Sequence, residues 1–220
     1  MVRRLANAVV VLVLLVPACV WAAPGDANVH APLSRLSLPF IANQGQVDAR
    51  VAYYARTFAG TLFVTRRGEL VYGLPAPLDD GPRDRPRSAS RSGWSLSETF
   101  VAGRPRPMTQ DRSDAGVSHF LGSDPARWLR NADTYEQVSL GEVWPGVTVA
   151  LRAHGKNVEK IFTVRPGASA DRIRVRVRGG GALRLDPEGG LVASTGLGPI
   201  TFTAPRAYQE RDGVRHRVPV

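Results

Sequence analysis

The chain has 220 residues, 43% of them hydrophobic, and its 29 Lys and Arg against 19 Asp and Glu give a formal charge of +10. That length and apolar content exclude a disordered polymer and are enough for one domain with a sizeable core. A single cysteine excludes an intramolecular disulfide framework.

The chain opens with the three-part pattern of an export signal. Arg3 and Arg4 form a positive start, Leu5 to Val16 is an apolar run broken only by Asn7, and Pro17 ends it. Val20-Trp21-Ala22 then fits a small-x-small cleavage site, so residues 1–22 are predicted to be a signal peptide. The run is short for a transmembrane span, which leaves an uncleaved anchor as the lesser alternative, and no later segment is apolar enough to cross as a helix. Cleavage at Ala22 removes Cys19, the one thiol. A second reading of Cys19 is lipidation, because Val16-Pro17-Ala18-Cys19 is similar to a lipobox, although Pro17 departs from the usual pattern. The expected location is therefore secreted, periplasmic or cell-surface, with release as a soluble or a lipid-tethered chain.

Residues 23–37, with Pro24, Gly25, Asp26 and Pro32, are predicted to be a flexible leader, and the domain to occupy 38–220. Val51–Arg56 reads as a strand. Thr61–Thr65 and Glu69–Tyr72 flank a turn at Arg66-Arg67-Gly68 and read as a hairpin. At 75–93 prolines, serines and charges leave little to bury, and a disordered loop is predicted. Trp94–Val101 returns to strand, and Arg104 to Asp114 reads as loop. Asp124-Pro125 has the form of a helix N-cap and first position, predicting one short helical turn near 124–129.

Tyr135–Leu140, Val147–Arg152 and Val158–Val164 read as strands, with turns at Trp144-Pro145-Gly146 and through His154-Gly155-Lys156-Asn157. Ile173–Arg178 alternates apolar and Arg, the period-2 pattern of a strand with one face in a core and one in water. Short strands follow at Ala182–Leu185, Leu191–Ser194, Ile200–Thr203, Ala207–Glu210 and Val214–Val220. The last run has no turn or tail after it and reads as a domain cut short. About ten to twelve strands with almost no helix predict an all-β fold, either a multi-stranded sandwich or open, twisted antiparallel sheets.

Phe40-Ile41-Ala42-Asn43-Gln44-Gly45-Gln46 followed by Val51-Ala52-Tyr53-Tyr54-Ala55-Arg56 resembles the opening of a bacterial exported domain of unknown function. The likeness continues through His119–Pro125 with Trp128, Val143–Val147, Val158–Ala168 and Tyr208–Gly213, and so spans about residues 38–220 in order. That domain is found ahead of SBBP-type β-propeller repeats in large cell-surface proteins. The resemblance implies a β-rich extracytoplasmic module, brings no catalytic residues with it, and makes a downstream propeller region one expected partner.

No residue set in the sequence stands out as catalytic. His30, His119, His154 and His216 lack zinc-type spacing, and no G-x-S-x-G elbow is present. Asp111, Asp114, Asp124 and Glu159 are available for a glycosidase pair, but nothing singles out two of them. Asp79-Asp80-Gly81 and Asp186-Pro187-Glu188-Gly189 lack the alternating ligands of a calcium loop and read as turns. No metal or other cofactor is expected.

Two polar features remain. The amides of Asn43, Gln44 and Gln46, with Gly45 between them, can hold a sugar or peptide or can tie a local turn. Arg174, Arg176 and Arg178 share one strand face and form either a solvated surface or an anion-binding row. Anionic cell-envelope polymers are the matching partner; no interleaved aromatics point to specific nucleic-acid recognition. The expected function is a non-catalytic module for adhesion, scaffolding or assembly. The alternatives are a polysaccharide-acting enzyme with unidentified carboxylates and an anionic-polymer binder.

Overall fold

The computed structural model describes residues 10–16, 36–75, 93–119, 129–211 and 214–220. Cys19, His30, Asp124, the cleavage site, most of the 23–37 leader, nearly all of the 75–93 loop and residues 124–128 of the expected helical turn lie outside them.

The described residues form seventeen strands and one short 3-10 turn at Ala170–Arg172. In chain order the strands are β1 (Val10–Val16), β2 (Ser37–Leu38), β3 (Phe40–Ala42), β4 (Val51–Thr57), β5 (Gly60–Thr65) and β6 (Leu70–Leu74). Then come β7 (Trp94–Phe100), β8 (Met108–His119), β9 (Leu129–Trp144), β10 (Val147–His154), β11 (Asn157–Val164) and β12 (Val175–Arg178). The last five are β13 (Leu183–Leu185), β14 (Leu191–Ala193), β15 (Ile200–Phe202), β16 (Ala207–Arg211) and β17 (Val214–Val218). The predicted all-β class is the class observed.

Fourteen strands share one sheet, ordered β12-β7-β6-β5-β4-β3-β9-β10-β11-β1-β16-β17, with β2 added to β10 and β8 to β9. The remaining three, β13-β14-β15, form a small separate sheet. Every described pairing is antiparallel; consecutive strands such as β4–β5, β5–β6 and β10–β11 join by short turns, while β3–β9, β12–β7 and β1–β11 bring together strands distant in the chain. The β10–β11 hairpin shows the rule most clearly. Its residues alternate buried and half-exposed along both strands, and His154 pairs with Asn157 across a two-residue turn in which Gly155 takes φ 49°. The Trp144-Pro145-Gly146 turn forms as predicted, with Gly146 at φ 76° and only 2.5 Å available between a Cβ there and Ala168 Cβ.

The sheet curls so that strands far apart in its order face each other over one core. Phe40, Leu62, Val64, Leu70, Leu96, Val138, Leu140, Val149, Leu151 and Phe162 fill it, and Ala193, Ile200 and Phe202 of the small sheet join the same cluster. Phe100 of β7 meets Trp144 of β9 edge to face at 5.7 Å, and the Trp144 indole N–H donates to the Val101 carbonyl at 2.9 Å. Inside this core lies an ion pair. Lys160 Nζ of β11 donates to both carboxylate oxygens of Glu98 of β7 at 2.6 Å, and each residue is 1% exposed. Tyr72 O–H reaches Glu98 Oε2 at 3.4 Å, and the Phe202 ring centroid lies 5.0 Å from Nζ. Burial, and then the Glu98 carboxylate beside it, push the Tyr72 phenol well above its ordinary pKa.

One sequence expectation changes. Residues 108–114, read as the end of a loop, belong to the twelve-residue strand β8. Its polar composition hid it, because cross-strand partners rather than an apolar face hold it to β9. Gln137 donates to Gln110 at 2.6 Å and Arg112 pairs with Asp133 at 2.5 Å, both on the exposed surface. The apolar run read as part of the signal contains β1. Its seven residues pair with β11 from Val10 opposite Val164 to Val16 opposite Val158. Four valines and three leucines suit a strand as readily as a translocation signal.

Removing one partner of a sealed ion pair strands the other charge, so Lys160→Met is expected to cost about 3–5 kcal/mol of unfolding free energy. The double variant Glu98→Leu/Lys160→Met should recover most of that loss. Denaturant melts of the three proteins check it; equal losses in the single and double variants would contradict it.

Candidate functional site

The arginine row occupies an outer edge of the large sheet. Strand β12 pairs only with β7 among the described residues, placing Val175 opposite Phe100, Arg176 opposite Thr99, Val177 opposite Glu98 and Arg178 opposite Ser97. Arg174 precedes the strand, and its carbonyl accepts from the Val101 N–H at 2.8 Å. Ile173, Val175 and Val177 pack against the core, which turns Arg174, Arg176 and Arg178 into water. All three are exposed, and none takes part in an ion pair among the described residues. The period-2 reading of this segment therefore describes the observed geometry.

At the end of the row the chain turns through Gly179 into a shallow, open cleft lined by Trp94, Gly179, Gly180, Gly181, Ser194, Thr195 and Gly196. The Trp94 indole N–H donates to the Gly179 carbonyl, fixing the ring against the turn. A Cβ at Gly196 would stand 2.5 Å from the Trp94 ring, so the indole lies directly over bare backbone. Gly179 has φ 83°, and a Cβ there would meet the Ser95 carbonyl oxygen at 2.3 Å, so glycine is required twice over. The result is a half-exposed aromatic platform beside Arg178 and Ser194; the Thr195 hydroxyl is engaged in its own turn, donating to the Gly198 carbonyl and accepting from the Leu197 N–H. Such a surface can stack a ring and attract an anion; its lining contains no acid or base.

The Asn43–Gln46 segment is tied to itself. Asn43 Nδ2 donates to the carbonyls of Val47, Asp48 and Val51 at 3.3, 2.9 and 3.0 Å, while Oδ1 accepts from the N–H groups of Gly45 and Val47 at 3.0 and 3.3 Å. Gln46 Nε2 donates to the Ala42 carbonyl at 3.0 Å, and its Oε1 accepts from the Gln44 N–H. Gly45 supplies φ 109°, and the Gln44 side chain faces water. Of the two sequence readings, the geometry matches the turn: the amides of Asn43 and Gln46 already bond to local backbone. Beyond it the exposed Arg50 guanidinium grips Asp48 at 2.8 and 3.0 Å and holds its carboxyl down to about 2.

The other candidate groups do not converge. His154 Nε2 lies 3.7 Å from Glu159 Oε2, both half-buried, and His216 is exposed on β17. His119 and Asp114 lie on β8, while Asp111 is exposed with φ 56°. Asp186 accepts from the Gly190 N–H at 2.6 Å and closes the β13–β14 turn, as its sequence context predicts. Among the described residues no group of three His, Cys, Asp or Glu could hold a metal ion.

Sequence reasoning missed Glu98 and Lys160. A signal was present: Glu98 falls on the same parity as Leu96 and Phe100, and Lys160 on that of Val158, Phe162 and Val164. Each charge on a core-facing position, one of them one of only two lysines, marks a buried ion that needs a partner, without saying which.

A family model for the domain of unknown function DUF7948 matches residues 40–220. The chain belongs to that family. No curated protein matches it, and no solved structure does. The family span begins at β3 and takes in the Asn43 turn, the ion pair, the arginine edge and the Trp94 cleft as parts of one domain.

Asn43→Ala removes bonds to five backbone groups and is expected to cost about 1–3 kcal/mol. Asn43→Asp should cost at least as much, since a carboxylate then faces three carbonyls. Thermal melts check both; an unchanged melt would show that the turn holds without this side chain.

Proposed function

We propose that this chain is an exported, non-catalytic β module of a bacterial cell-surface or secreted protein, serving adhesion, scaffolding or assembly. One observation carries the non-catalytic part. The most distinctive polar groups are already engaged in holding the fold: Glu98 and Lys160 neutralise each other in a sealed core, and Asn43 and Gln46 bond to their own backbone. The Arg3-Arg4 start, the apolar run and Val20-Trp21-Ala22 support export. The resemblance to domains that precede SBBP-type propeller repeats supports a place beside such repeats.

Expression in a bacterial host with intact secretion tests the reading. Protein recovered outside the cytoplasm should have a mass corresponding to a start at Ala23, or to lipid-modified Cys19. Retention of residues 1–22 in a cytoplasmic product would contradict export. Hydrolysis of envelope glycans or peptides by the purified protein would contradict the non-catalytic reading and favour the polysaccharide-acting enzyme.

A second reading is favoured by one specific observation, the exposed row of Arg174, Arg176 and Arg178. In this reading the row binds anionic envelope polymer through charge-assisted bonds. Binding to a sulfated or phosphorylated polymer should then weaken steeply as salt is raised. It should also fall in the Arg174→Ser/Arg176→Ser variant, whose exposed substitutions leave the core alone. Salt-insensitive binding, or equal binding by the variant, would rule the row out.

A further inference from the structure

The apolar run that looks like a signal is also a strand of the main sheet, and both roles cannot hold at once. In the sheet β1 is the neighbour of β11 over seven residue pairs, and it also touches β16 through Val10 opposite Gln209. If export removes residues 1–22, β11 loses its neighbour along nearly its whole length. Its free N–H and C=O groups then form an open edge of eight residues.

That edge is built to receive a strand of one kind. Val158, Lys160, Phe162 and Val164 are all buried, and the register sets Val16, Leu14, Leu12 and Val10 opposite them. An aliphatic residue at every second position of the incoming strand continues that apolar row. Lys160 stands mid-edge and points inward, its charge fixed by Glu98.

We infer that the β11 edge is a strand-acceptor site that β1 fills within the precursor. After processing it takes an extended segment of a partner polypeptide, antiparallel to β11, with Val or Leu at alternate positions and no proline. Main-chain ladder bonds supply the affinity and the alternate side chains the selectivity, as in other strand-addition complexes. The exposure of the edge rests on the export reading; its capacity to accept a strand does not.

The probe is a fluorescent peptide carrying the sequence of residues 9–16 between solubilising lysines, followed by anisotropy. Processed protein should bind it, and the same peptide with Val13→Pro should bind at least about tenfold more weakly, because proline removes a ladder donor and breaks the extended register. Full-length precursor should also bind the parent peptide at least about tenfold more weakly, since its own β1 holds the edge. Equal binding of both peptides, no binding to the processed protein, or equal binding by precursor and processed protein would overturn the inference. If mass spectrometry finds residues 1–22 retained, export fails, and the edge is tested in full-length chain carrying Val13→Pro in its own β1. Binding of the parent peptide to that variant, but not to the unaltered chain, upholds the acceptor edge; no difference between the two overturns it.

Discussion

The contact between Glu98 and Lys160 is the constraint on which the rest of this domain depends. Both residues lie in the middle of strands, on faces that otherwise carry only apolar or aromatic side chains. An isolated charge there would be prohibitive, and a pair is tolerable only with tight geometry. Lys160 Nζ sits 2.6 Å from each carboxylate oxygen, with Tyr72 O–H beside Glu98 and the Phe202 ring beside the ammonium. The pair therefore does more to specify than to stabilise: it admits one arrangement of β7 over β11 and penalises any slip in either strand. A one-residue shift would turn a charge outward and its partner into an unpaired buried ion.

This contact joins two strands that each carry a further neighbour. On one side β7 carries β12 and with it the arginine edge, and Trp94 at the start of β7 opens the cleft at the end of that row. On the other side β11 carries β1. The small β13–β15 sheet closes over the same place, since Phe202 touches Lys160 and Ala193 and Ile200 join the core.

Much of this was legible in the sequence where burial alone decides the pattern. Burial alternates along β10 and along β11 because one face of the hairpin is core, and Ile173–Arg178 alternates in sequence for the same reason. Strand β8 was not legible, since its polar residues contact β9 rather than a core and carry no apolar period. The role of Asn43 was legible only as two alternatives, because an amide that ties a turn and an amide that holds a ligand look alike until its partners are known. The Glu98–Lys160 pair marked itself in each strand by parity. Periodicity cannot say that residues 62 apart will meet, because that depends on how the whole sheet curls.

Native-state hydrogen exchange on the full-length protein tests the coupling most directly. If the ion pair binds the two halves of the sheet into one cooperative unit, the central amides of β7 and β11 open together at the free energy of global unfolding. Lys160→Met should then lower protection in both strands equally, while the mostly exposed strand β17 changes little. Separate openings for β7 and β11, or a loss of protection confined to β11 in the variant, would contradict the account.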